Sequence, residues 1–378
     1  MSNPQPAADP RPDVPLRVRV SGDSGLPGRF YLSCVASRSL LVLDGAGAPI
    51  WSYYEPRSGG AGGFWDFKKH VCADGVFYSY HDVTGTYDDY GMMGYGPGQR
   101  VLLDESFREL RRITFSASAT VPAGAPLDGH DFLLLGRDHY IAAGYLHETV
   151  YNHPEHPEGS QVVYAYLQEV RDGAVVWDWR SIDHPELYAM TAPLEGDSSV
   201  TAADYGNAQT TVPDCIHFNS VTEGADGSLI CSFRNIDAVL CLDRRDGHIR
   251  WCLSGKGDQF GLREEQKSSK QHYATVQGSA VHVFDNGNVR RASRLLTYHI
   301  DPEQKRLLQF SAVEPAGKYS AACGSVQFLP SGLLVVGWGA AVDSDECMTV
   351  LDPAAGNARM RVFLETPGNI TYRAVYAE

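Results

Sequence analysis

Near the middle of the chain, Asp214-Cys215-Ile216-His217-Phe218-Asn219-Ser220-Val221 is followed, after a turn at Asp226-Gly227, by the run Ser228–Arg234. Side chains of an extended strand alternate between faces, so His217 and Asn219 are predicted to share one face. Asp-Gly is a strong hairpin signal and puts Arg234 on the neighbouring strand. A fixed guanidinium beside imidazole and amide donors suits the oxygens of a sulfate or phosphate ester.

That cluster stands out against an acidic background. The 378 residues carry 46 Asp and Glu against 32 Lys and Arg, a net charge of −14, with no basic run or stripe. Nucleic acid is excluded as a partner on that ground. An anionic small molecule would instead need a local positive pocket, and the His/Arg cluster can supply one. With 43% apolar and 21% charged residues, the chain has the composition of a globular protein with a large core. Residues 1–15, MSNPQPAADPRPDVP, are Pro-rich and polar without the apolar stretch of a secretory signal, and read as a disordered tail. No run of 18 apolar residues occurs, which argues against a membrane-spanning helix or a membrane partner. Eight cysteines are scattered without a C-x-x-C pair, and read as reduced and mostly core-packed. The expected location is the cytoplasm.

The elements that must position the cluster come from an internal repeat. An apolar alternating run, an Asp or turn residue, often Gly, and a second run recur at 40–53, 100–115, 163–179, 238–253, 294–310 and 347–363. With Asp44, Asp104, Asp172, Asp243, Asp301 and Asp352 as markers, the steps are 60, 68, 71, 58 and 51 residues. Each copy reads as the outer hairpin of a four-stranded sheet. Inner hairpins lie between them at 67–81, 130–145, 217–234, 272–287 and 325–338, and a sixth uses Arg29 to Ala36 closed by the chain end. The prediction is an all-β, single-domain, six-bladed β-propeller over residues 16–378. Only fragments near 184–190 and 262–270 have helical character.

In a propeller the first strand of each blade lines the axis. His130, His217 and His272 begin inner hairpins at nearly the same point of the repeat, so the three are predicted to meet at one mouth of the channel. Arg234, at the end of a second strand, returns to that same end. Three histidines can also ligate zinc. No H-x-H or H-E-x-x-H spacing is present, however, and Arg234 would oppose a dication, so no metal is predicted. Trp51, Trp177 and Trp251 resemble the tryptophans of quinoprotein propellers, but interblade packing explains them. The Gly-rich stretches 59–63 and 91–98 match no phosphate-binding loop, and no cofactor is expected. The insertion Tyr87–Tyr95, including Tyr90 and Tyr95, either covers a propeller edge or gives an aromatic substrate an apolar wall.

The motifs DCIHFNSV, DGSLICSFRN, the turn at 243–251, SGKGDQF and QHYATV…FDNGN occur in the order found in the arylsulfate sulfotransferases, with weaker support from GHDFLLL and TYRAVYAE. The chain resembles that family over about 250 residues. The resemblance implies a six-bladed propeller that moves sulfuryl groups from an aryl sulfate donor to a hydroxyl acceptor without a nucleotide. It implies that His272 is transiently sulfated and that His130, His217 and Arg234 hold the sulfate oxygens. One of His130 and His217 would protonate the departing phenolate. Asn219, Tyr90, Tyr95 and Tyr273 are the remaining substrate-binding candidates. The family usually has Asp after the nucleophilic His, where this chain has Tyr273. That departure keeps two alternatives open: the same cradle catalysing cyclisation, elimination or hydrolysis of an anionic ester, or a non-catalytic binding propeller.

Overall fold

Five of the six marker aspartates cap the outer turns with their own side chains. The Asp44 carboxylate accepts the N–H of Ala48 at 2.8 Å, Asp104 those of Ser106 and Arg108 at 2.8 and 3.0 Å, and Asp243 that of Arg245 at 2.9 Å. Asp301 and Asp352 hold Gln304 and Ala355 in the same way. These contacts satisfy backbone donors that the turn leaves unpaired, which is why Asp marks the repeat. Asp172 differs. It adopts a left-handed backbone itself (φ 51°) and, with Gly173 (φ 79°), forms a two-residue hairpin turn.

The computed structural model describes residues 14–56, 62–85, 94–191, 214–366 and 369–378. Its strands form six antiparallel meander sheets, the blades of a propeller. Blade two comprises Phe64–Cys72, Gly75–Val83, Pro97–Leu103 and Glu109–Ile113, and blade three Phe132–Gly136, His139–Val150, Ser160–Arg171 and Ala174–Arg180. Blade four comprises Phe218–Glu223, Leu229–Phe233, Ala238–Leu242 and Ile249–Leu253. Blade five comprises His272–Gln277, Ala280–Asp285, Arg294–Asp301 and Arg306–Val313. Blade six comprises Ser325–Phe328, Leu334–Gly337, Glu346–Asp352 and Asn357–Leu364. Blade one is closed by the chain end as expected: Thr371–Ala377 is its inner strand, followed outward by Arg29–Cys34, Ser39–Leu43 and Pro49–Tyr54. The strand Val18–Gly22, which the repeat does not contain, adds a fifth strand to blade six by pairing with Asn357–Leu364.

The second and third strands are almost wholly buried, because both of their faces meet neighbouring blades, while outermost strands such as Pro49–Tyr54 and Arg306–Val313 are largely exposed. The tryptophans pack between elements as expected, Trp51 stacking on Phe107 at 4.4 Å and Trp251 meeting Phe260 edge-on at 5.7 Å. All eight cysteines are free thiols, five of them buried. The fragments expected to be helical are 3₁₀ turns, Pro185–Met190 and Glu264–Gln266, too short to sustain an α-helical ladder. No helix of the described residues is long and apolar enough to cross a membrane.

The inner strands do not alternate simply. The register slips between Trp65 and Lys68 in blade two, Phe218 and Ser220 in blade four, and His272 and Ala274 in blade five. Asp66 and Tyr273, at two of these bulges, have left-handed backbones (φ 47° and 49°). A bulge re-aims side chains, and here it turns them toward the axis. Asp66 and Asp131 meet Lys68, Arg100 and Arg373 in a buried charged layer. Arg373 contacts Asp66 at 2.9 Å and Asp131 at 3.2 Å, and Arg100 contacts Asp66 at 2.9 Å. Arg373 of blade one also donates to the Asn219 carbonyl of blade four at 2.6 Å. Those blades stand opposite in a ring of six, so this bond spans the channel and plugs it.

Close burial also sets the response to acid. His81, fully buried, donates from Nε2 to the Gly96 carbonyl at 2.7 Å, and burial, aided by Arg100, pushes its pKa down to about 4. Above the ordinary histidine value of 6.5 both folded and unfolded states are neutral. Below it the unfolded chain takes a proton that folded His81 refuses, so stability falls as pH drops from 6.5 toward 4. The loss from this residue alone is on the order of 3 kcal/mol. Urea midpoints at pH 7.5 and 4.5 should separate strongly, and His81→Gln should narrow the gap. An unchanged gap in that variant would remove His81 as a cause.

Candidate active site

His217 lies one residue before the blade-four inner strand, with a left-handed backbone (φ 51°). Strand alternation therefore does not orient its side chain. Its orientation comes from Asp214, which accepts the His217 backbone N–H at 3.0 Å and Nδ1–H at 2.5 Å. Asn219, at the bulge, instead donates its side-chain amide to the Gln271 carbonyl at 2.7 Å, making it a strut between blades four and five. By register, Phe218 rather than His217 occupies the position that His272 holds in blade five, paired opposite Phe233 as His272 is opposite Phe284. The two histidines are offset by one residue in the repeat.

The expected convergence nevertheless occurs. His130 and His217 face each other with Nε2 atoms 3.2 Å apart and ring centroids 4.8 Å apart. His130 is held as His217 is: Asp128 accepts its backbone N–H at 3.0 Å and also contacts its Nδ1. Gly129, between them, is required because a Cβ there would lie 2.6 Å from the Trp65 ring. Burial opposes ionisation of Asp128, but His130, then His81 and the Gly96 N–H, outweigh it and hold the carboxyl below its usual range. Burial likewise opposes ionisation of Asp214, and His217 with the Tyr95 hydroxyl outweighs it. Tyr95 donates to Asp214 at 2.6 Å.

His272 begins the blade-five inner strand. Its Nδ1–H donates to Asn286 Oδ1 at 2.7 Å, and Asn286 is fixed by donating to the carbonyls of Ser320 and Cys323 at 2.8 and 3.1 Å. The Cys323 N–H donates to His272 Nε2 at 3.2 Å, so Nε2 carries the lone pair. Burial, followed by the Arg234 charge and by His130 and His217, holds His272 well below the ordinary histidine value despite the opposing Asn286 bond. It stays neutral at physiological pH.

Arg234 is fully buried in the turn Arg234–Ile236 that follows the second strand of blade four. Its backbone N–H donates to the His217 carbonyl at 2.7 Å, which joins the two residues rigidly. Its Nη1 donates to Asn235 Oδ1 at 3.1 Å, and Asn235 in turn donates to the Asp214 carbonyl at 2.9 Å. The guanidinium depresses the basicity of both His217 and His272, after burial in each case. Arg234 and the three imidazoles thus lie within electrostatic reach of one another. Such a group can bind an anionic ester, present a nitrogen lone pair to it and exchange a proton with it.

Aromatic rings wall the pair. Tyr145 stacks on His217 at 5.4 Å, Trp65 meets His130 edge-on at 5.8 Å, and Tyr372 lies 5.8 Å from His130. Tyr95 lies 5.4 Å from His217 and is therefore at the site as expected. Tyr90 lies outside the described residues. Tyr273 makes its contacts with the axial layer, the Arg373 guanidinium lying 4.6 Å over its ring. A cavity of about 380 Å³ opens beside the Arg234–Ile236 turn, lined by Asp237, Lys256, Lys267, Ser268 and Arg290 among others, but none of the three histidines nor Arg234 lines it. Among the described residues one trio, Asp243, Asp246 and His248, has atoms close enough to share a metal. It sits on an outer turn at the far face, where Asp243 is already paired with Arg245 at 2.6 Å.

Asp214 and Asn286 stand within the sequence motifs, but the motifs alone give neither a role, and Asp128 lies just outside them. The signal was available as Asp two or three residues before each paired histidine.

The profile of the family described as Arylsulfotransferase (ASST) matches residues 81–346, which include Asp128, Asp214, Asn286, Arg234 and all three histidines. The chain belongs to the arylsulfotransferase family. Membership supports an aryl sulfotransferase-like function in general. No curated protein matches the chain. Among solved structures, a protein of unknown function from Bacteroides caccae superposes with TM-score 0.46 and 11% identity, covering 93% of this chain and 100% of that one. A catalytically inactive virginiamycin B lyase from Staphylococcus aureus, solved with quinupristin, gives 0.33 and 9% over 91% of this chain and 74% of that one. A puromycin hydrolase gives 0.38 and 13% over 90% and 53%.

Proposed function

We propose that this arylsulfotransferase-family member moves a sulfuryl group from an aryl sulfate to a phenol or other hydroxyl acceptor through a sulfohistidine at His272. The observation that carries the reading is the tautomer of His272. Asn286 holds Nδ1–H, and the lone pair on Nε2 is kept unprotonated by burial and by Arg234. That nitrogen exchanges the long bond from Cys323 N–H for the sulfur of the donor.

In the first step Nε2 attacks sulfur, the S–O bond to the aryl group breaks, and its electron pair leaves on the phenolate oxygen, which takes a proton from the His130–His217 side. The second step reverses these events with the acceptor hydroxyl, so protons and charge balance without a cofactor. The in-line displacement resembles phosphoryl transfer, in which positioning and charge stabilisation supply most of the catalysis. Arg234 binds the equatorial oxygens, a role that its planar fork suits, and the aromatic wall suits an aryl group.

A chromogenic phenyl sulfate with added phenol tests the reading. Release of the chromogenic phenol matched by sulfated acceptor is expected. Release without a sulfated acceptor would instead indicate hydrolysis or elimination, and no release across a panel of donors would indicate a binding propeller.

A further inference from the structure

The mechanism above takes a proton from one of two histidines, yet the geometry treats them as one group. Asp128 accepts the backbone N–H and contacts Nδ1 of His130, and Asp214 does both for His217. An ionised carboxylate has only acceptors, so each Nδ1 carries a hydrogen, and the two Nε2 atoms lie opposite each other. Two nitrogen lone pairs aimed at each other across 3.2 Å repel, whereas an N–H···N hydrogen bond fits that separation. One proton resolves the conflict. A second would put two imidazolium rings in contact inside the protein.

We infer that His130 and His217 hold a single proton between their Nε2 atoms, and that Asp128 and Asp214, the latter with Tyr95, are the positioning residues that keep it there. This deepens the proposed sulfuryl transfer and, as a statement about catalysis, rests on it. The pair with its carboxylates carries one negative charge when it holds the proton and two when it does not. The shared proton goes to the phenolate as the S–O bond breaks, and the acceptor hydroxyl returns one as it attacks. Neither histidine is the acid by itself. Among the described residues the charged groups facing the pair are Asp128 and Asp214, the latter bonded to the Tyr95 hydroxyl, which favour the proton, and Arg234, which opposes it; His272, held neutral, lies nearby. His81, itself neutral, lies near Asp128, and the rings of Tyr145, Trp65 and Tyr372 pack against the pair. A buried, carboxylate-flanked pair of this kind titrates as a unit.

The test reads the resting full-length protein first. In ¹⁵N-histidine-labelled enzyme, long-range ¹⁵N–¹H spectra should show the Nε2 signals of both residues moving together with one midpoint. Asp214→Asn, which removes one flanking charge and keeps the shape, should lower that midpoint by at least about one pH unit, a tenfold change in proton affinity. His130→Gln should abolish the common transition. If either variant does not fold, the wild-type titration still decides. Two independent midpoints, two Nε2 atoms unprotonated throughout pH 5–9, or spectra that change on adding a chelator would overturn the inference. These signals do not depend on sulfuryl transfer, so they fail separately from the proposed activity. In turnover, His130→Gln and Asp214→Asn should each slow release from phenyl sulfate at least about tenfold more than from 4-nitrophenyl sulfate, because a poorer leaving group needs its acid more. The double variant should cost little beyond the worse single one, as expected for residues that act together. Equal losses on both donors, or fully additive losses, would contradict a shared acid.

Discussion

His272→Ala is expected to eliminate transfer, lowering turnover by a factor on the order of 10⁴ or more, as removal of a covalent nucleophile does. The fold should survive. His272 is the first residue of its strand, and its ring bonds are to Asn286, Cys323 and the Lys270 carbonyl rather than to the blade ladder. The far-ultraviolet circular dichroism spectrum should therefore match that of wild type. A folded variant that still sulfates the acceptor at near wild-type rate would exclude His272 as the nucleophile and leave direct transfer between donor and acceptor. Asn286 offers a graded control. Asn286→Ala removes the acceptor that fixes Nδ1–H, so the wrong tautomer becomes accessible and the rate should fall less than with His272→Ala.

Arg234→Lys is expected to cost about 2–4 kcal/mol in transition-state stabilisation, roughly 30- to 900-fold in kcat/KM. Lysine keeps the charge, but it lacks the planar fork that binds two oxygens at once. Arg234 is fully buried, so the shorter ammonium cannot recruit water in its place without opening the core. It also contributes to keeping His272 neutral. The loss should thus appear in kcat as well as KM. Unchanged turnover in a folded variant would rule out direct contact with the sulfuryl oxygens.

The fold was legible because its punctuation is chemical. An aspartate that caps its own turn must recur wherever that turn recurs, and Asp44, Asp104, Asp243, Asp301 and Asp352 do so. The closing strand was legible for a related reason, since an inner hairpin lacking a partner at the start of the chain needs one from its end. Val18–Gly22 was not legible, because a fifth strand added outside a complete blade breaks the repeat rather than continuing it.

At the site, His130, His217, His272 and Arg234 could be grouped by repeat position, although His217 reaches the axis by a left-handed residue before the strand and not by strand alternation. Period-two alternation requires an unbroken pleat, and the inner strands of blades two, four and five each contain a bulge at the point that matters. The same bulges send Asn219 to the Gln271 carbonyl and Tyr273 to the Arg373 layer. Asp128 and Asp214 were obscured for another reason. An Asp near a His in sequence is common, and only the facing Nε2 atoms give the two carboxylates a joint role.

The most direct test of the central claim is to mix wild-type enzyme with donor in the absence of acceptor and measure both products. One equivalent of phenol should be released in a burst, and the peptide containing His272 should gain the mass of one SO₃ group, lost again when phenol is added. Label on a peptide that does not contain His272, or continued phenol release with no labelled peptide, would contradict the account.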